Sequence, residues 1–345
     1  MNAYINDILS QSNALFSLAD KINVRDIISL KKCLENNEFD RIIVSGMGAS
    51  YYAAYPAYLM LSQLPIPVIN VNAAELINYL PGQISSRSLL WLNSQSGRSA
   101  ELVHLIQEYQ KPTYGGLIAF VNDIDSPLAA AADYCINIHA GEESTVSVKT
   151  YTNMLAANSI SGALLSHDVS ISELISALQV TISKLQSFLD DSLKKQAFLA
   201  KLVEKADTLF FLGRGASLSA VWTGSLINKE AAKCSFEGLN CADFRHGPLE
   251  MVRDGVVTVI YAGDDISRPL NRQLAFDIQK HGGNVVWVDN KPDTDLTSFI
   301  LPDVPDIFTP LMEILPMQLI TLIMADKIGV DPGIFKIVGK ITSIE

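Results

Sequence analysis

Gly46-Met47-Gly48-Ala49-Ser50 recurs downstream as Gly213-Arg214-Gly215-Ala216-Ser217, an offset of 167 (46 to 213). Each copy follows a short run of Val, Ile, Leu or Phe and opens a segment of helical periodicity. That strand–turn–helix punctuation belongs to a parallel α/β sheet. A second landmark repeats at nearly the same spacing: Asn72-Ala73-Ala74-Glu75 maps onto Asn240-Cys241-Ala242-Asp243, an offset of 168 (72 to 240). Two landmarks at almost one offset point to a duplicated domain, and ligands in such sheets lie beyond the carboxyl ends of the strands.

Outward from these turns, apolar runs predict strands at Arg41 to Ser45, Val68 to Val71, Leu89 to Asn93, Leu117 to Val121 and Cys135 to Ile138. The second half repeats the plan at Thr208 to Leu212, Ser235 to Gly238, Val256 to Tyr261, Val285 to Val288 and a weak run near Phe299 to Leu301. A helical segment of roughly Ile171 to Lys201 lies between the halves. The division expected is an N-terminal helix over 1–25, a first domain over 26–168, a linking helix over 169–200, a second domain over 201–330 and a tail over 331–345 that closes the site.

Composition bounds the function. The 345 residues are 48% hydrophobic and 18% charged, and 26 Lys and Arg against 37 Asp and Glu give a net charge of -11. No run of Lys or Arg exceeds two residues, so the basic track that a nucleic acid needs is missing and no nucleic-acid partner is expected. At about 150 residues per domain the length suits two domains, and a chain of this size buries roughly 75% of its unfolded surface. Cys33, Cys135, Cys234 and Cys241 show no CxxC and no zinc-ligand spacing, so neither a disulfide framework nor a metal site is expected and a reducing cytoplasm fits. Met1 to Leu9 lacks the regions of a secretory signal. The longest apolar stretch, Ile314 to Ala325, is interrupted by Pro316 and is too short for a bilayer, so a soluble protein with no membrane partner is expected.

Chemistry concentrates in two places. Ser94-Gln95-Ser96-Gly97-Arg98-Ser99 directly follows a predicted strand. A turn of small hydroxyl residues and Gly at a helix start aims several N–H and O–H donors at one point, which suits a phosphate; the same residues also make an ordinary capped turn. Ser50 can face the same crevice. A dinucleotide reading of the Gly-rich turns is weak, since the third glycine is missing and no acidic residue ends the strand Val68 to Val71. The second place is Lys229-Glu230 with Phe244-Arg245-His246-Gly247-Pro248. Glu230 ends a predicted helix, and His246 sits before the Gly-Pro that ends regular structure. A carboxylate and an imidazole beside a sugar phosphate are what proton transfer next to a carbonyl requires. A solvated Lys-Glu pair and an incidental loop histidine are the plain readings, and His104, His139, His167 and His281 are given the latter.

Taken together these residues resemble the sugar isomerase (SIS) domain family in its two-domain form, similar to the isomerase half of glucosamine-6-phosphate synthase and to catabolic sugar-phosphate isomerases, deaminases and fructosamine-phosphate deglycases. The resemblance implies an α/β fold of two tandem SIS domains, each a five-stranded parallel sheet flanked by helices in the doubly wound, flavodoxin-like manner. It implies that Ser94, Gln95, Ser96 and Ser99, with Ser50, bind the substrate phosphate. It also implies that Thr145 and Ser147, in Gly141-Glu142-Glu143-Ser144-Thr145-Val146-Ser147-Val148-Lys149, touch the sugar. Gly213-Arg214-Gly215 through Lys229-Glu230 to His246-Gly247-Pro248 matches the family spacing. By that match Glu230 shuttles a proton between C1 and C2 of the opened sugar, and His246 assists ring opening from the other subunit of a homodimer or dimer of dimers. Val338-Gly339-Lys340-Ile341-Thr342 resembles the family's closing tail, making Lys340 a candidate to polarise the carbonyl or form a Schiff base.

Departures from the family bear on specificity. Without a Cys at position 2 or room for a glutaminase domain, glutamine-dependent amination is not expected. Ile227 stands where the synthase has a lysine three residues before its glutamate, and Arg98 replaces a glutamate. Arg98 either binds an anion, recognises a substrate carboxylate, or points to solvent. The resulting expectation is a cytoplasmic enzyme without metal or cofactor, acting on an amino-sugar or fructosamine 6-phosphate. The alternative is a non-catalytic sugar-phosphate sensor, which needs Ser94 to Ser99 but not Glu230, His246 and Lys340 together. With no helix-turn-helix segment read ahead of the first domain, the transcription-factor version of that alternative is not expected.

Overall fold

The structure is a computed structural model, and it describes residues 2–110, 113–204, 206–337 and 339–340. Val338, Ile341 and Thr342 of the expected closing tail lie outside the described residues. The chain divides into two compact units, Ser10–Gln179 with Lys336–Glu345, and Met1–Leu9 with Val180–Phe335.

In the first unit β1 (Arg41–Gly46), β2 (Val68–Asn70), β3 (Ser88–Asn93), β4 (Gly116–Val121) and β5 (Tyr134–Asn137) form one parallel sheet in the order β2-β1-β3-β4-β5. β3 and β4 are buried at every position, which is why they read as continuous apolar runs rather than alternating ones. In register, Val44 of β1 is flanked by Asn70 of β2 and Trp91 of β3. One face packs Ile43, Leu90, Leu92, Leu117, Ala119 and Val121 against Leu76, Leu102, Leu105 and Leu128. Helix Lys149–Ser166, buried from Thr150 to Leu165, carries a polar tie. Asn158 accepts from Trp91 Nε1 at 2.7 Å and donates to Asn93 Oδ1 at 2.8 Å, and Asn93 donates to Ser45 O at 3.2 Å. The buried Trp91 N–H and the side-chain amides of Asn93 and Asn158 are thereby satisfied at the centre of the sheet.

In the second unit β6 (Thr208–Gly213), β7 (Glu237–Asn240), β8 (Val256–Tyr261), β9 (Asn284–Asp289) and β10 (Ser298–Ile300) repeat the arrangement in the order β10-β9-β8-β6-β7. The two sheets share one topology, and all ten expected strands are present within a few residues. The repeat reaches the capping chemistry. Asn72 accepts from Glu75 N, and Asn240 accepts from Ala242 N, each at the start of the short helix after its strand. The N-terminal region holds three helices, Ala3–Leu9, Gln11–Lys21 and Val24–Glu35, and after helix Lys149–Ser166 the expected linking helix is two helices, Ile171–Asp190 and Ser192–Val203.

Helix Thr309–Ile328 runs unbroken through Pro316, so the apolar stretch is longer than the sequence suggested. Asp306–Ile328 is long and apolar enough to cross a membrane by length and composition, yet 83% of its most apolar window is buried inside the fold. It is a core helix, packed against Leu218–Ala231 so closely that a side chain at Gly224 would overlap Met317.

A serine turn joined to a lysine-lined cleft

In the first unit the strand order changes direction at β1, with β2 on one side and β3 on the other. The crevice opened there is the usual ligand position of a doubly wound sheet. Two turns border it, Gly46 to Ser50 after β1 and Ser94 to Ser99 after β3. They are joined directly: Gln95 N donates to Ser50 Oγ at 3.3 Å. Within the second turn Ser94 Oγ lies 3.0 Å from Ser99 Oγ and accepts from Gly97 N at 3.1 Å, while Ser96 Oγ accepts from Arg98 N at 3.2 Å. Gly97 has φ +61, and any side chain there would run into Ser126. Glycine is required for both reasons. Ser94 and Ser96 are buried, so the turn is rigid and the donors an anion would use are bonded to neighbouring hydroxyls.

Arg98 is engaged by the loop after β4. Its guanidinium bonds Asp123 Oδ2 at 2.9 and 3.2 Å and Asp125 O at 3.1 Å, and this hydrogen bonding holds the Asp123 carboxyl below its usual range. Of the three roles open to it, the geometry shows an ion pair with the neighbouring loop, about half exposed to solvent.

A cleft of about 780 Å³ lies beside Gln95, bounded also by Asn122, His139, Glu143, Ser144 and Lys340. Lys340 is fixed there by Glu143. Glu143 Oε2 accepts from Lys340 Nζ at 3.0 Å and from Thr150 Oγ1, and Oε1 accepts from Val148 N at 2.9 Å and Thr150 N at 3.1 Å. One carboxylate thus serves the start of helix Lys149–Ser166, where negative charge is favoured, and anchors the lysine. Thr145 is buried and Ser147 half-buried, and the cleft wall in this segment is Gly141 to Ser144. Asn122 braces the wall, accepting from Ala140 N at 2.8 Å and donating to Gly141 O at 2.9 Å. His139, with φ +49, is held by Asn137. Burial pushes its imidazole pKa down, a bond to the Lys21 backbone opposes this, and the Lys21 charge adds to the lowering. The neutral ring is therefore favoured near neutral pH.

Glu230 and His246 belong to the second unit. Glu230 is half-buried in the last turn of helix Leu218–Ala231, with its carbonyl bonded by Lys233. Lys229 pairs with Glu237 and donates to Ser225, so the adjacent Lys-Glu is not a mutual pair. His246 is exposed, at the end of the short helix Cys241–Arg245. Ile227 is fully buried and offers no surface to a ligand, which sets it apart from the other candidates. Sequence reasoning missed Glu143, Asn122 and His139 as cleft residues. Asn122 had a signal, an Asn directly after an apolar strand, whereas Glu143 had none, because its partner is 197 residues away.

Residues 37–162 match the SIS domain family. That stretch takes in all five strands of the first sheet. Over 319 residues the chain is 30% identical to the glutamine–fructose-6-phosphate aminotransferase (isomerizing) of Pyrococcus horikoshii, covering 89% of this chain and 52% of that protein. The chain thus spans about half the length of the curated relatives it matches. Among solved structures, the C-terminal domain of glucosamine-fructose-6-phosphate aminotransferase from Francisella tularensis superposes with TM-score 0.82 at 21% identity, covering 96% of this chain and 98% of that one. Glucosamine-6-phosphate deaminase from Thermotoga maritima superposes with TM-score 0.73 at 19% identity, covering 98% and 99%. At these identities the two structural likenesses are ones of fold. The SIS match takes in Ser50 and the whole Ser94 to Ser99 turn, and ends before Glu230, His246 and Lys340.

Proposed function

We propose that this protein is a phosphosugar isomerase or deaminase acting on an open-chain amino-sugar or fructosamine 6-phosphate. The observation that carries the reading is the bond between the Gln95 N–H and Ser50, which joins the two turns of the switch-point crevice into one hydroxyl-rich cradle beside the Lys340 cleft. Ser50, Ser94, Gln95, Ser96 and Ser99 hold the phosphate through neutral donors, so the net charge of -11 does not oppose a single small anion. Lys340 polarises the carbonyl end of the opened sugar, with Thr145 and Ser147 shaping the segment next to it. Glu230 removes the proton from the carbon beside the carbonyl and returns it to the neighbouring carbon. Proton and electrons balance within the substrate, and where the amine is released one water is consumed. His246 assists ring opening across a homodimer, and the enzyme works in the cytoplasm without a cofactor.

The test is an assay of amine release and aldose–ketose interconversion over a panel of amino-sugar and fructosamine 6-phosphates. Glu230→Gln is expected to lower kcat by about 10²- to 10⁴-fold, and Ser96→Ala to raise KM. Unchanged turnover in Glu230→Gln would remove it as the base. Saturable binding of the panel without turnover would instead make the chain a sensor.

A further inference from the structure

The phosphate turn has a counterpart in the second unit that has changed its chemistry. β3 (Ser88–Asn93) maps onto β8 (Val256–Tyr261) at an offset of 168 (88 to 256). On that register Ser94 becomes Ala262, Gln95 becomes Gly263, Ser96 becomes Asp264, Gly97 becomes Asp265, and Ser99 remains serine as Ser267. Ser50 is retained as Ser217. The strand order changes direction at β6, between β7 and β8, so this crevice is again a switch point. It holds a cleft of about 360 Å³ bounded by Arg214, Ser217, Asp264, Asp265, Asp306 and Glu313, within the usual range for small-molecule sites.

Glu313 is the decisive residue. It is 4% exposed and lines this cleft. Ser217 donates to its Oε1 at 2.8 Å, while Oε2 has no hydrogen-bond partner among the described residues. A buried carboxyl oxygen left without a donor is costly, and a ligand donor would satisfy it. The surroundings select the donor. Asp264, Asp265 and Asp306 add negative charge. Arg268, which also borders the cleft, is neutralised by Asp289. Arg214, held by Asn271 Oδ1 at 2.9 Å, keeps further N–H groups for hydroxyl oxygens. Carboxylates where the first unit has hydroxyls repel a phosphate and attract an ammonium.

We propose that the crevice beyond β6 and β8 binds a small polyhydroxylated molecule carrying a protonated amine and no phosphate, with Glu313 and Asp306 recognising the amine. This site is separate from the Ser94 to Ser99 turn and does not depend on the reaction proposed above. The probe is glucosamine, with glucose as the uncharged control, titrated calorimetrically into the full chain at neutral pH. Glucosamine is expected to bind about tenfold or more tightly than glucose, and Glu313→Gln and Asp306→Asn are each expected to weaken it by about tenfold. Saturating inorganic phosphate is expected to leave glucosamine binding unchanged. Equal affinity for glucose, displacement by phosphate, no binding at millimolar glucosamine, or indifference to both substitutions would each overturn the proposal. Asp306 is exposed, so Asp306→Asn decides the matter if Glu313→Gln does not fold.

Discussion

The ammonium of Lys340 lies 3.0 Å from Oε2 of Glu143, a carboxylate with no exposed side-chain surface and 197 residues earlier in the chain. The pair fastens the C-terminal segment to the wall of the cleft beside Gln95 and sets where the lysine charge sits. Lys340→Met removes one of four donors to a buried carboxylate. A loss of about 1 to 3 kcal/mol is expected, read as a lower denaturant midpoint. Turnover is expected to fall far more than this stability loss explains. Equal losses in both readouts would give Lys340 a purely structural role.

The tightness of the serine turn predicts a sharp response at Gly97. Gly97→Ala puts a side chain at φ +61 and into the space of Ser126, so the turn must open. Phosphate affinity is expected to drop at least as far as in Ser96→Ala, because one change distorts the whole ring of donors and the other deletes a single hydroxyl. Isothermal titration with a sugar 6-phosphate compares them, and an undiminished affinity in Gly97→Ala would show that the turn does not hold the phosphate.

Arg98 is expected to be nearly silent. Its pair with Asp123 is about half exposed, and solvent screening leaves such pairs with little effect on stability. Arg98→Gln should therefore leave the unfolding midpoint and KM for a plain sugar 6-phosphate close to wild type, while the Asp123 carboxyl returns toward its usual range. A KM that rises only for substrates carrying a second carboxylate would restore Arg98 as a reader of that group.

Stability should carry the signature of Glu313. Burial, opposed by the Ser217 hydrogen bond and reinforced by Asp289, raises its pKa from 4.5 to about 7. A folded-state pKa above the unfolded one means the native state binds more protons between those values, so the stability Glu313 contributes is full below the unfolded pKa and is lost as pH rises to about 7. The slope is at most about 1.4 kcal/mol per pH unit. Comparing wild type with Glu313→Gln across this window isolates the group from the other carboxylates. The variant is expected to be relatively more stable on the alkaline side, and parallel curves would show that Glu313 titrates normally.

Much of the fold was legible because duplication and buried parallel strands leave local marks. Apolar runs such as Leu89 to Leu92 and Gly-rich turns such as Gly46 to Ser50 are set by neighbours in sequence, so all ten strands could be placed from periodicity and punctuation. The hydroxyl turn was legible for the same reason, since the donors and the glycine conformation that gathers them lie within six residues. Helix Thr309–Ile328 was misjudged because Pro316 reads locally as a break, whereas packing inside the second unit carries the helix through it.

The sequence by itself determined the two α/β halves, their repeat and the serine turn, because hydrophobic periodicity and backbone preferences act over a few residues. Only the tertiary structure decided that Glu143 holds Lys340, that Arg98 is engaged by Asp123, that Ile227 is buried, and that Glu313 faces the second crevice with an oxygen unpaired. Each of these depends on which distant residue supplies a charge, a donor or a covering surface, and that partner is chosen by the packing of helices on the sheet rather than by anything written beside the residue in the chain.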